Sequence, residues 1–259
     1  GIAEQHAVTS AAGMAVAGLH PVVALYSTFL NRAFDQLLMD AGLHHEGVTI
    51  VLDRAGITGT DGASHNGMWD MAMCGIVPGL MLSAPRDCQH LVSVLNEAVD
   101  INDRPTVIRY SKDPMPDDIR VVASHDGLDV LRDGPGDGIL LVAHGQLCAP
   151  ALAAVDQLDF PVRVVSPRWS LPVCRGLIEE AAEARAVVSV EDGLVVSGLG
   201  SHLADALSRR GLWRPIRNLG IPQRYLGHDS RSAIMAELGL DAPGIADAVS
   251  QLVSQLGGE

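Results

Sequence analysis

The sequence predicts an α/β protein made of two mostly parallel-sheet units. Three observations lead there. Short apolar runs rich in Val, Ile and Leu alternate with segments of helical period along most of the chain. The alternation breaks once, at "SKDPMPDDIR" (111–120), where Pro and Asp cluster. A chain of 259 residues with 47% hydrophobic content can bury the core of one or two domains.

The elements follow in order. Residues 4–18 read as an Ala- and Gly-rich helix, and "PVVALY" (21–26) as a buried strand. In "NRAFDQLLMDAGL", Ala33, Phe34, Leu37, Leu38 and Ala41 recur at helical spacing. "VTIVL" (48–52) is a second strand that empties into a glycine-bearing loop, "DRAGITGTDGASHNG". A helix near 68–75, a strand near "GLMLSA", a helix over 87–100 and the strand "PTVIRY" complete the first unit. Beyond the break come "GILLVAHG", a helix at 147–157, "VRVVS", a helix at 173–184, "AVVSVED", a helix at 198–210 and a strand near "PIRNLG". The last forty residues read as helices with a polar connection. The expected division is 1–118, a linker at 119–123, and 124–259.

The composition narrows the function. A net charge of −13 disfavours a general nucleic-acid or membrane-surface binder, because both need a basic face. An anionic substrate would need local arginines. No apolar run reaches the roughly 18 residues of a membrane span. Cys74, Cys88, Cys148 and Cys174 are scattered, without paired or finger-like spacing. They read as reduced core thiols of a cytosolic protein.

Several motifs have bland readings. "GDG" (136–138) could open a magnesium–diphosphate site, but it precedes its strand and reads as a turn. "HHE" (44–46) places adjacent residues on different helix faces and reads as a solvated helix end. Ser64 beside His65 lacks a nucleophile elbow. The loop at 53–67 is different, because it leaves a strand's carboxyl end, where open α/β sheets place ligands. It offers Asp53, Arg54, Asp61 and His65; a plain surface loop is the alternative. Tyr26, Phe29 and Arg32 follow another strand end, where packing and solvation compete with a site role. Glu4, in a helix's first turn, either complements the helix dipole or does chemistry.

Taken together, "GIAEQHAV", "YSTFLNRAFDQ", "DRAGITGTDGASHNGMWD" and "IRYSKD" resemble the 1-deoxy-D-xylulose-5-phosphate synthase family of transketolase-like thiamine diphosphate enzymes. "PRWSLPV", "VSVEDG", "GLGS" and "IPQRYLGH" extend the resemblance through the second half. It implies a pyrimidine-binding domain, lacking its first part here, followed by a transketolase C-terminal domain. It also implies a further N-terminal domain, carrying the Mg2+ and diphosphate sites, that this sequence does not contain.

The resemblance assigns roles. Glu4 matches the catalytic glutamate that shares a proton with the aminopyrimidine of thiamine diphosphate, a task that apolar neighbours such as Ile2, Ala3 and Ala7 would assist. Phe29 matches the residue stacked on that ring, and Ile2 a side wall near it. Tyr26 and Arg32 match substrate-pocket residues. Arg54 and Arg109 match the guanidinium groups that hold a substrate phosphate. Asp61 and His65 match loop residues of substrate binding and proton handling.

The implied reaction condenses pyruvate with D-glyceraldehyde 3-phosphate, releasing CO2 and giving 1-deoxy-D-xylulose 5-phosphate, a precursor of isoprenoids, thiamine and pyridoxal. A homodimer is implied, and this chain alone is expected to be inactive. One departure is Ser111-Lys112-Asp113 after Tyr110, where the family usually reads Pro, a basic residue and Gly. Another is "SGLG" where a Gly-Gly pair is usual. Two other readings stand beside this one: a split system with a separate diphosphate-binding chain, and a non-catalytic dimerisation module of the same fold.

Overall fold

The computed structural model of the protein describes residues 2–257. The first unit opens with α1 (Glu4–Val16), β1 (Val22–Tyr26), a 3-10 turn (Ser27–Arg32) and a π-helical turn (Gln36–Gly42). It continues with β2 (Thr49–Asp53), α2 (Asp70–Cys74), β3 (Met81–Ser83), α3 (Cys88–Asp100) and β4 (Thr106–Arg109). Its four strands form a parallel sheet in the order β1-β2-β4-β3, with β1 at an edge. In α3 the Asp87 side chain caps the helix by accepting from His90 N at 2.8 Å, and Val94 and Ala98 turn inward.

The second unit runs β5 (Ala123–His125), β6 (Leu128–Arg132), β7 (Ile139–Ala143), α4 (Cys148–Val155), β8 (Val162–Pro167), α5 (Arg175–Glu183) and β9 (Ala186–Leu194). It closes with α6 (Leu199–Ser208), β10 (Ile216–Ile221), α7 (Arg231–Glu237) and α8 (Ala242–Gly257). The sheet order is β10-β9-β7-β8-β6-β5. Strands β7 and β9 are buried along their whole length, as continuous apolar runs in a covered parallel sheet require.

Three details depart from the sequence expectations. First, β5 and β6 form an antiparallel hairpin on the sheet edge. Its turn is Asp126-Gly127, both at positive φ, as the tightest hairpins need. Strand β5 starts at Ala123, inside the stretch read as linker. Second, that connection is docked on its surroundings: Ile119 N donates to Asp87 Oδ2 at 3.2 Å, and Gln89 Nε2 donates to Asp118 at 2.7 Å. Third, the thiols are not all core residues, since Cys88 is exposed.

One apolar cluster is shared by the two units. It runs from Leu30, Leu52 and Leu82 into Leu140, Val187 and Leu203. Backbone bonds between Leu82 and Leu171, at 2.9 and 3.2 Å, couple β3 to the second unit. Packed this way, the units hold a fixed relation, and a site between them can be rigid.

Candidate active site

Three adjacent parallel strands end at one rim. Tyr26 closes β1 and stands in register with Asp53 at the end of β2, while Arg109 closes β4 beside Leu52. The chain turns sharply after Asp53, with Arg54 at φ 59°. The Arg54 guanidinium lies 4.4 Å from the centre of the Tyr26 ring and pairs with Asp53. Strand register therefore brings these two site residues together.

The 3-10 turn carries the next group. The Phe29 ring centre is 5.8 Å from that of Tyr26 and 5.7 Å from that of His65, which meets it edge-on. Arg32 lies over the other side of the cluster, 4.6 Å from the Phe29 centre. Its Nη1 is 3.6 Å from Glu4 Oε2, too long for a hydrogen bond. Glu4 is the first residue of α1; its side chain is 13% exposed, and Oε2 is buried with no hydrogen-bond partner among the described residues. A buried carboxylate oxygen without a donor is costly, so the chemistry of this corner invites a donor from outside the chain.

The glycine loop brings Asp61 and His65. A hydrogen bond from Lys112, at 2.9 Å, holds the Asp61 carboxyl below the usual carboxylate range, and Arg54 and His65 add to the effect. Ser64 Oγ lies 3.0 Å from His65 Nδ1. Two buried hydroxyls tie this loop to the 3-10 turn. Ser27 donates to Gly67 O at 3.1 Å and to Asp70 Oδ2 at 2.9 Å; Thr28 donates to Ser64 O at 3.1 Å.

Two residues stand elsewhere. Arg109 is 4% exposed; its Nε donates to Asp70 Oδ2 at 2.7 Å, and Nη2 donates to Asp192 O at 2.8 Å. Burial opposes its charge, but Asp70, with Asp192 and Glu191 beyond, raises its hold on the proton. Its charge is matched inside the protein by Asp70. Ile2 is 79% exposed and forms no wall within this chain. Ala3 is exposed as well, so the expected apolar cover of Glu4 does not come from the residues before it.

Sequence reasoning missed the supporting shell. Asp70 is fully buried between Arg109 and Ser27. Glu191 is buried beneath Gly198 and accepts from Leu199 N at 2.9 Å; burial pushes its carboxyl up to about 7, against the pull of those amides and of Arg109. The signal was present in "VSVEDG": carboxylates inside a buried strand need partners. Arg231, which bonds Asp192 at 2.6 Å, had no local signal.

The family model "Transketolase, pyrimidine binding domain" matches residues 1–117, and "Transketolase, C-terminal domain" matches 128–245. Over its full length the chain is 92% identical to the 1-deoxy-D-xylulose-5-phosphate synthase of Cutibacterium acnes. It is 52% identical, again over its full length, to 1-deoxy-D-xylulose-5-phosphate synthase 2 of Streptomyces avermitilis. It spans 41% of the length of each. A solved split-gene transketolase, described as an inactive beta4 tetramer, superposes with a TM-score of 0.83 at 27% identity, covering 95% of this chain and 80% of that one. The transketolase of Campylobacter jejuni, with a TM-score of 0.71 at 16% identity, covers 89% of this chain and 35% of its own, and shares the fold.

Proposed function

Because the chain belongs to the transketolase family and carries its pyrimidine-binding and C-terminal domains, we propose that it works as part of a 1-deoxy-D-xylulose-5-phosphate synthase. The reaction would join pyruvate to D-glyceraldehyde 3-phosphate with loss of CO2. The domains would divide at 118 and 124, flanking the docked connection.

The family implies thiamine diphosphate, and the residues present fit it. When bound, that group supplies the decarboxylation and carbon–carbon bond chemistry. The observation that carries the reading is Glu4 Oε2, buried, 3.6 Å from Arg32 Nη1 and without a hydrogen-bond donor among the described residues. Glu4 would share a proton with a ring nitrogen that meets this oxygen. Phe29 would give the ring a flat apolar face, and Tyr26 and Arg32 would border the substrate. Arg54 would take the substrate phosphate in its guanidinium fork, while Asp61 and His65 would handle protons and hydroxyls on the acceptor. Arg109, held in place through Asp70, would join Arg54 on the substrate phosphate. Mg2+ and the diphosphate would bind to residues outside this chain, so the chain alone would be inactive. The four free cysteines agree with a cytoplasmic setting, and a homodimer is the proposed assembly.

The test is Glu4→Gln in the complete enzyme. Turnover should fall at least about a hundredfold while cofactor affinity, followed by titration calorimetry, changes little. Unchanged turnover would remove the proposal.

A second reading has one observation in its favour. The split-gene transketolase chain matches this one over 80% of its own length. In that case a separate partner chain would complete the site. Mixing the purified chain with a diphosphate-domain chain should then create cofactor binding that neither has alone.

A further inference from the structure

The glycine loop carries Asp61 and His65, yet Ile57 within it and Met68 just past it pack into the second unit. Ile57 and Met68 are fully buried within the apolar core of the C-terminal domain. Ile57 is gripped at both backbone groups. Its N–H donates to Asp192 Oδ1 at 2.9 Å, and its carbonyl accepts from Arg231 Nη1 at 2.6 Å. The same Nη1 lies 2.6 Å from Asp192 Oδ2. One ion pair, with side chains 12% and 10% exposed, thus engages both polar groups of a single loop residue. At the other foot, Leu194 N donates to Met68 O at 3.2 Å.

The grip extends further. Arg231 Nε donates to Asp113 Oδ2 at 2.6 Å. Asp113 follows Lys112, the partner of Asp61. Near the loop tip, His228 Nε2 lies 2.9 Å from Thr60 O. Gly56 and Gly59, both at φ 76°, have no room for a Cβ: it would enter the Asp192 carboxylate at the first and the Arg231 backbone at the second. Inside the loop, Asn66 Oδ1 accepts from Thr58 N at 2.8 Å.

A buried ion pair often adds little stability compared with an apolar replacement, so its retention calls for a geometric reason. The geometry here supplies one. Phe29 and Glu4 stand on the first unit's own turn and helix, whereas the loop of Asp61 and His65 is held from two sides: by Thr28 and Ser27 of the 3-10 turn at Ser64 and Gly67, and by the second unit at Ile57 and Thr60.

We propose that Arg231 and Asp192 are positioning residues for the acceptor side of the site, through which the C-terminal domain sets where Asp61 and His65 stand. The proposal rests on the synthase reading above. It makes the aldehyde's binding, and not pyruvate's, depend on this pair.

The experiment compares Arg231→Met, Arg231→Lys and Asp192→Asn in the complete, cofactor-loaded enzyme. Arg231→Met should raise KM for D-glyceraldehyde 3-phosphate at least about tenfold and leave KM for pyruvate within about twofold. Arg231→Lys should recover part of the loss, because it restores a cation to Asp192. Amides of residues 57–60 should exchange with solvent at least about tenfold faster in Arg231→Met, while those of β7 stay protected. If Arg231→Met does not fold, Asp192→Asn, which keeps the side-chain shape, serves for the same readouts. Equal rises in both KM values, or unchanged loop exchange, would overturn the proposal. Exchange is read without turnover, so it judges the clamp even if Glu4→Gln shows the synthase reading to be mistaken.

Discussion

Removing the carboxylate of Asp70 should unfold this protein more readily than almost any other single side-chain truncation near the site. Asp70 is 0% exposed and accepts from Arg109 Nε at 2.7 Å and from Ser27 Oγ at 2.9 Å. Arg109 is itself only 4% exposed, and its other fixed partner is a neutral carbonyl, Asp192 O. Asp70→Ala would leave a guanidinium buried without its countercharge. Breaking one side of such a pair costs about 3–5 kcal/mol. For a chain of this size that corresponds to a fall in Tm of roughly 6–20 °C. Urea unfolding followed by circular dichroism measures it. The double variant Asp70→Ala/Arg109→Met should recover about half the loss or more, because no charge is then stranded. An Asp70→Ala protein within about 1 kcal/mol of the parent would refute the reasoning, since it would mean that water reaches the guanidinium.

Two further outcomes follow from the same shell. Burial raises the Glu191 carboxyl to about 7 from its ordinary 4.5, so between those pH values the folded protein keeps a proton that the unfolded chain has released. That contribution to stability is lost as pH rises through the window. Relative to the parent, Glu191→Gln should therefore gain up to about 3 kcal/mol between pH 4.5 and 7, read from urea midpoints at each pH; a flat difference would count against it. Gly59→Ala places a Cβ against the Arg231 backbone at a positive φ and should cost about 1–3 kcal/mol, with cleavage by a protease appearing first within residues 57–66.

Most of the scaffold could be read from residue pattern alone. "VTIVL" and "AVVSVED" are apolar because their strands are covered on both faces, and they appear as Thr49–Asp53 and Ala186–Leu194. The β5–β6 hairpin is weakly marked, because β5 spans only three residues, Ala123–His125, beside a Pro-Asp stretch, although Asp126-Gly127 is a strong turn signal. The site divides in the same way. Tyr26, Phe29, Arg32 and Arg54 follow strand ends and meet through register and one short turn. Arg231 meets Ile57 across 174 positions of sequence, a contact set by how the two units pack, which no local pattern encodes. The partners that hold Arg109, Asp70 and Asp192, lie 39 and 83 positions away, so no local pattern shows them.

Strand β1 has a practical consequence. Among the described residues it borders only β2, and its Val22 and Tyr26 are 51% and 38% exposed. The strand contains neither Lys nor Pro to blunt it. Such a margin is a template on which another copy can lay its own backbone, so concentrated stocks of the isolated chain should thicken into edge-to-edge assemblies. A single Val22→Lys exchange, at the strand end remote from Arg54, would put a charge on that seam and keep the protein dispersed.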